Sequence, residues 1–279
     1  MRWHRPRALR LHRSAAFPRL DRLLSHGLLG RLGRALARAT RPRWAVAQAI
    51  RGWTERAAIR MDDLQPGPVA SLASFLLRRL RPGARPIGDG VVAPADGVVG
   101  GAGPIVAGVV LQIKGVPHAL ERLTAGRHPA PGLAAYEGGR YIVLTPHGHH
   151  DVHMPIAGTV IDLRWLSGRA SPQHHDALQH TPRIDEHNER VTLRCRSVDG
   201  HEFMLVLVGA SLLGGIHLRD LRRRDWVRSR PFAWNRHFAR GEELGHLGFG
   251  STVVLLVPPA LAGLPPPLGM ALRMGQHLW

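Results

Sequence analysis

Three segments of this chain hold the residue types that nucleophilic chemistry requires, in the order acid, histidine, serine. Residues 91–98 read VVAPADGV and contain Asp96; residues 144–155 read LTPHGHHDVHMP and contain His147, His149, His150, Asp151 and His153. Residues 244–255 read LGHLGFGSTVVL and place Ser251 in a Gly-Ser-Thr step ahead of an apolar β-type run. On its own such a tripeptide is a turn before a strand. In this company it is a place where a serine could cut its own chain. The hydroxyl attacks the preceding carbonyl, which requires a base for Oγ, an acid to orient that base, and a strained or exposed Gly-Ser turn. Asp96, His153 and Ser251 supply those types, and Gly250, lacking a Cβ, opens angles of approach that other residues block. The shift leaves an ester. β-Elimination then frees the upstream chain and leaves dehydroalanine, which tautomerises to an imine that water hydrolyses, releasing ammonia and giving a pyruvoyl group whose ketone is an electron sink.

The segments together resemble the phosphatidylserine decarboxylase family, which carries PADG, a histidine segment of the form L-x-P-x-D-Y-H-R-x-H-x-P, and a C-terminal G-S-T at which the proenzyme processes itself. Smaller matches lie around them: Arg85-Pro86-Ile87, Lys114-Gly115, Asn188-Glu189-Arg190-Val191, Val208-Gly209-Ala210 and the run from Gly241 through Glu242, Glu243 and Leu244 to Gly245. The resemblance covers residues 70–258. It implies a self-processing enzyme that turns phosphatidylserine into phosphatidylethanolamine and CO2 through a Schiff base on a pyruvoyl group made from Ser251. It implies cleavage between Gly250 and Ser251 into a large chain (1–250) and a small chain (251–279) that stay together as a heterodimer open to further dimerisation. By the same resemblance His153 is the self-cleavage base, oriented by Asp96, and His150 handles the substrate during decarboxylation and reprotonation. An imidazole suits either task because both its protonation states are populated near neutral pH.

The histidine segment departs from the family pattern. His149 stands for the tyrosine, Asp151 for the arginine and Gly148 for the preceding aspartate, and Gly214-Gly215-Ile216 stands where the family often has Gly-Ser-Ile. Asp151 pointing inward would repel an anionic headgroup, so a related pyruvoyl decarboxylase acting on another amino acid or headgroup stays open. Arg140 and Arg190 are open candidates for headgroup contact. The cluster of His147, His149, His150, Asp151 and His153 also invites a metal reading, since alternate strand positions such as 147, 149, 151 and 153 share a face. The family needs no metal, and none is expected.

Composition bounds the rest. The 279 residues hold 38 basic and 20 acidic side chains, a formal net charge of +18, and Lys114 is the single lysine. Residues 1–60 hold 15 arginines against Asp21 and Glu55. Within them Leu20, Leu24, Leu28, Leu32 and Leu36 recur every fourth residue beside Leu23 and Leu29, with Arg19, Arg22, Arg31, Arg34 and Arg38 interspersed, which is an amphipathic helical pattern. Trp44 and Trp53 follow, a residue type that favours the headgroup region of a bilayer. Residues 1–65 are thus expected to form a basic amphipathic region drawn to anionic lipid; the alternative is that the leucines pack on the core and the arginines are solvated. A mitochondrial targeting segment would share this Arg-rich composition. Arginines interrupt every apolar run there, and prolines break residues 244–272, so neither a secretory signal nor a spanning helix is expected. The favoured location is peripheral, on the cytoplasmic face of a bacterial membrane. The single cysteine, Cys195, excludes an intramolecular disulfide.

Residues 66–279 read as the catalytic domain. A second helical stretch, VASLASFLLRRLRP, ends at Pro82-Gly83. Short β-branched runs follow at 105–113, 141–145, 159–163, 191–195, 203–208 and 252–257, separated by Gly and Pro. The expected fold is α+β, with an N-terminal helical region packed on a mainly antiparallel β core. Two other classes of function were weighed. The net charge suggests nucleic-acid binding, yet no reading motif accompanies it and no nucleic-acid partner is expected. A Ser-His-Asp hydrolase would use the same residue types, but the serine lies in GFGST and not in a G-x-S-x-G elbow.

Overall fold

The computed structural model describes residues 32, 35–57, 59–111, 117–124, 132–168, 184–209, 215–227, 230–248 and 250–279. The leucine repeat from Leu20 to Leu29 lies outside them, as do Lys114, Ala210 and Gly214.

The apolar β-branched runs become the middle of an eight-stranded sheet. Its strands are β1 (Gly97–Pro104), β4 (Arg140–Pro146), β6 (Gly158–Leu166), β7 (Arg190–Ser197), β8 (Glu202–Val208), β10 (Phe232–Phe238), β12 (Thr252–Val257) and β13 (Ala271–Leu272). They lie in the order β10-β6-β7-β8-β12-β4-β1-β13, each pair antiparallel. Side chains alternate between faces along a strand, so a strand buried on both faces must be apolar throughout. β12 is TVVLLV, and every residue of it is buried. Val253, Leu255 and Val257 enter one hydrophobic cluster with Leu205 and Leu207. Val254 and Leu256 enter a second, with Met204, Val206 and Val208. The sheet thus divides two cores, and β12 belongs to both. Cys195 is buried within β7 as a free thiol that burial pushes up in pKa.

Two smaller sheets complete the β structure: β2 (Val109–Leu111) with β3 (Pro117–Ala119), and β5 (Asp151–His153) beside β11 (Glu243–Leu247) and β9 (Ile216–Leu218). Helices among the described residues include α1 (Arg43–Ala57), α2 (Leu72–Leu76), α3 (Leu120–Thr124), α4 (Ile184–His187) and α5 (Arg223–Trp226). The architecture is α+β as expected, with the longest helix near the N-terminus.

The expected helix at VASLASFLLRRLRP is much shorter. Ser71 caps α2 with a reciprocal Ser71–Ser74 pair, but beyond Leu77 the chain extends, because Leu80 bridges Leu64 and Gln65 N–H donates to the Arg79 carbonyl at 2.9 Å. Tertiary pairing overrides helix propensity here. The 105–113 run is likewise broken. Ala107 and Gly108, at φ 52° and 64°, turn the chain between β1 and β2.

The N-terminal elements share a small core of their own, in which Ile50, Trp53, Ile59, Leu72 and Leu80 pack on buried Leu64 and Phe75. Trp44, Leu36 and Leu32 face outward at 71%, 65% and 53% exposure. Among the described residues no helix is long and apolar enough to cross a membrane. Truncating one shared core residue should be costly: Leu256→Ala is expected to lower stability by about 2–5 kcal/mol, and Val198→Ala, at an exposed position, by no more than about 0.5 kcal/mol, as read from urea denaturation.

Candidate active site

Main-chain hydrogen bonds sew the three chemically suggestive segments together. His153 N–H donates to the Pro94 carbonyl at 2.7 Å and His147 N–H to the Asp96 carbonyl at 3.2 Å, joining the histidine segment to the PADG turn. On its other edge β5 pairs with β11, setting His153 opposite Glu243, Val152 opposite Gly245 and Asp151 opposite His246. Leu247 N–H then donates to the His150 carbonyl at 2.9 Å. β11 runs directly into the Gly-Ser-Thr step, so this pairing holds His150 beside the strand that delivers Ser251.

Ser251 is fully buried at the head of β12. Its hydroxyl donates to the Gly248 carbonyl at 2.5 Å. Gly250 has φ +81°, a left-handed turn that a Cβ would strain. Gly250 thus lies between β11, in the small sheet, and β12, in the large one. No hydrogen bond among the described residues joins Ser251 to a histidine.

The Asp96 carboxylate is held from two sides. Arg85 donates to it through Nε at 3.1 Å and Nη2 at 2.6 Å, and Met274 N–H donates to Oδ1 at 2.7 Å. The third guanidinium nitrogen, Nη1, donates to Asp63 Oδ2 at 2.7 Å. Planar two-point pairing of this kind fixes both partners' orientation. Burial works against the Asp63 charge, but the Arg85 bond and its positive field hold the carboxyl below its ordinary range. The sequence gives Arg85 no role beyond the Arg85-Pro86-Ile87 match; the one signal pointing to it is that a buried Asp96 requires a cation.

The histidines divide by environment. Burial drives His150 down to about 4, helped by the fields of His149 and His147 and opposed by Asp151. Burial drives His153 down to about 4 as well, against the fields of Asp151 and Asp96. Both are therefore neutral at neutral pH, the form in which an imidazole can accept a proton. No hydrogen bond links Asp96 to His153 among the described residues, and His153 Nδ1 is buried without a hydrogen-bond partner there. His149 Nε2 lies 3.0 Å from Asp151 Oδ2 but outside hydrogen-bond geometry. His246 stacks on His217 at 4.5 Å.

The expectation that positions 147, 149, 151 and 153 share one strand face is not met. Gly148 takes φ +81° and β5 begins only at Asp151. Among the described residues no group of three or more such side chains is arranged to hold a metal ion. Arg190 is committed elsewhere, its guanidinium donating to the carbonyls of Leu123, Glu186, Asn188 and Arg122. Arg140 pairs with Val257, at the opposite end of β12 from Ser251. Arg79 lies 3.6 Å from Glu243, the residue opposite His153.

A site built this way, with a histidine strand clamped between an acid-bearing turn and the strand leading to a buried Gly-Ser step, is distinctive enough to be sought in other proteins. A family model described as phosphatidylserine decarboxylase matches residues 72–278, and the chain belongs to that family. Proteins named phosphatidylserine decarboxylase proenzyme from Pseudomonas putida and Pseudomonas entomophila are each 32% identical to it over 280 residues, covering 92% of this chain and 94% of theirs. One of the same name from Chromobacterium violaceum is 31% identical over 244 residues, covering 82% of this chain and 86% of its own.

The depressed histidines make stability depend on pH. Folded, each binds a proton only near pH 4, whereas in the unfolded chain each does so near its ordinary value of 6.5. The unfolded state therefore binds more protons between those limits, and stability falls as pH drops from about 6.5 to about 4. Urea midpoints measured across that window should decline, and His150→Gln should flatten the decline.

Proposed function

We propose that this protein is a self-processing, pyruvoyl-dependent decarboxylase that converts phosphatidylserine to phosphatidylethanolamine and CO2. The observation that carries this reading is the placement of Ser251, in a chain of this family, buried at the head of a central strand behind a left-handed Gly250 and flanked by the strand bonded to the histidine segment. In this reading Ser251 attacks the Gly250 carbonyl, His153 takes the proton, and Asp96 sets the field around that imidazole. The neutral state of His153 at neutral pH supports its role as base. His150 serves the mature enzyme, moving a proton at the substrate carbon.

The pyruvoyl group suits this position. A ketone at residue 251 would be anchored by β12, which pairs with β8 on one edge and β4 on the other. When present it supplies a carbonyl that condenses with a substrate amine and takes up the electron pair left by the departing carboxylate. The large chain 1–250 and the small chain 251–279 remain associated, because the small chain also donates Gly275 N–H to the Ala93 carbonyl and Leu278 N–H to the Val91 carbonyl. Residues 1–65 bring the enzyme to the cytoplasmic face of an anionic membrane, a role supported by exposed Trp44 and Leu36 among arginines.

One observation favours a second reading. The His149–Asp151 pair fills the place of the family's tyrosine and arginine, so that segment offers no cation to an anionic headgroup, and a decarboxylase of another headgroup or amino acid follows from the same chemistry. Comparing CO2 release from phosphatidylserine vesicles with release from free amino acids separates the two.

Intact mass spectrometry under denaturing conditions, with and without a ketone-capturing reagent, tests the principal reading. Pieces 1–250 and 251–279 are expected, the smaller one reacting as a ketone. Ser251→Ala should abolish both cleavage and decarboxylation, and a variant that still cut at this bond would overturn the proposal. Deleting residues 1–60 should weaken binding to anionic liposomes; undiminished binding would remove the anchor.

A further inference from the structure

We infer that Arg85 is a positioning residue of the processing site, and that through Asp63 it makes the segment before the catalytic core a working part of that site. This rests on the self-processing reading above. The Asp96 carboxylate stands where three parts of the chain meet. Its own turn leads into β1, Arg85 approaches from the N-terminal side, and Met274 approaches from the segment 251–279. The fork of Arg85 and the Met274 N–H leave that carboxylate little freedom to rotate, and Arg85 itself is braced by Asp63. Both side chains of the Arg85–Asp96 pair are largely excluded from water, at 7% and 11% exposure, where an ion pair is weakly screened.

Asp63 belongs to a short turn of helix (Met61–Asp63) in the N-terminal region. That region touches the site at two further points. Ile59 lies where a Cβ on Gly148 would meet it at 3.4 Å, and Arg79 pairs with Glu243, the residue opposite His153. The orienting acid is thus set by a segment that the self-cleavage chemistry alone would not call for.

The arrangement also has an electrostatic role. The charged and titratable groups facing His153 are Asp151 on its own strand, His149 before it, Asp96 on the PADG turn and Glu243 on β11. Arg85 offsets the Asp96 field. Without that cation, Asp96 would hold a proton on His153 more firmly, and self-cleavage would need a higher pH. A residue that merely filled space would leave that dependence alone.

The test is the rate of self-cleavage of the full chain, followed by mass spectrometry after synthesis in a cell-free system, as a function of pH. Arg85→Lys keeps the charge and loses the fork; it should slow cleavage by about 10- to 100-fold, the scale of a small misplacement at a reacting centre, with the rising limb of the pH profile in place. Arg85→Met should slow cleavage and move that limb to higher pH. Asp63→Asn, which removes the brace, should slow cleavage less than Arg85→Lys. Circular dichroism establishes that each variant is folded, and if Arg85→Met does not fold, Arg85→Lys decides. A folded Arg85→Lys that cleaves at the wild-type rate overturns this inference alone. A wild-type chain that is folded and uncut overturns the self-processing reading and this inference with it.

Discussion

The structure depends on one strand being held on all four sides. β12 is hydrogen-bonded to β8 and β4, and it packs into a separate apolar core on each face. A strand in that position must be continuously apolar, which is why residues 252–257 read TVVLLV. It must also be entered through a turn that carries the chain from the small sheet into the large one, which is why a glycine in the left-handed region precedes it. Ser251 sits between these two demands. The turn that admits the chain to this strand and the burial at its head thus meet at Ser251, while the strand downstream is held by both neighbours and both cores.

Charge around the site is arranged by pairing. Asp96 is matched to Arg85, and Arg85 is shared with Asp63. Beside them are two imidazoles that burial keeps neutral. The replacement residues His149 and Asp151 lie beside each other, with Nε2 3.0 Å from Oδ2.

Much of this was legible in the sequence, for a physical reason. β4, β8 and β12 are strands whose burial on both faces forces an apolar run, while β6 and β7 show short β-branched runs with polar residues interspersed, and each of the five agrees with the expected run to within a few residues at its ends. β1 was missed because GVVGGAGP carries few side chains to show a period; its register comes from β4. β10 was missed because at the sheet edge it alternates Phe232, Trp234 and Phe238 with polar residues and has no β-branched run. The short β5, β9 and β11 are set by their partners and have almost no local signal. The order of Asp96, His150, His153 and Ser251 was visible as motifs, whereas Arg85 and Asp63 act through contacts between segments that no local pattern encodes.

Arginine dominates the basic residues, and the ion pairs that hold Asp96 and Glu243 use guanidinium groups as cations. A lysine amine condenses with ketones, while a guanidinium stays protonated and does not. For a protein that makes a ketone from its own backbone, as proposed here, this choice of cation has a chemical benefit. Arg79 and Arg85 can neutralise Glu243 and Asp96 without condensing with that carbonyl, as an amine in their place would.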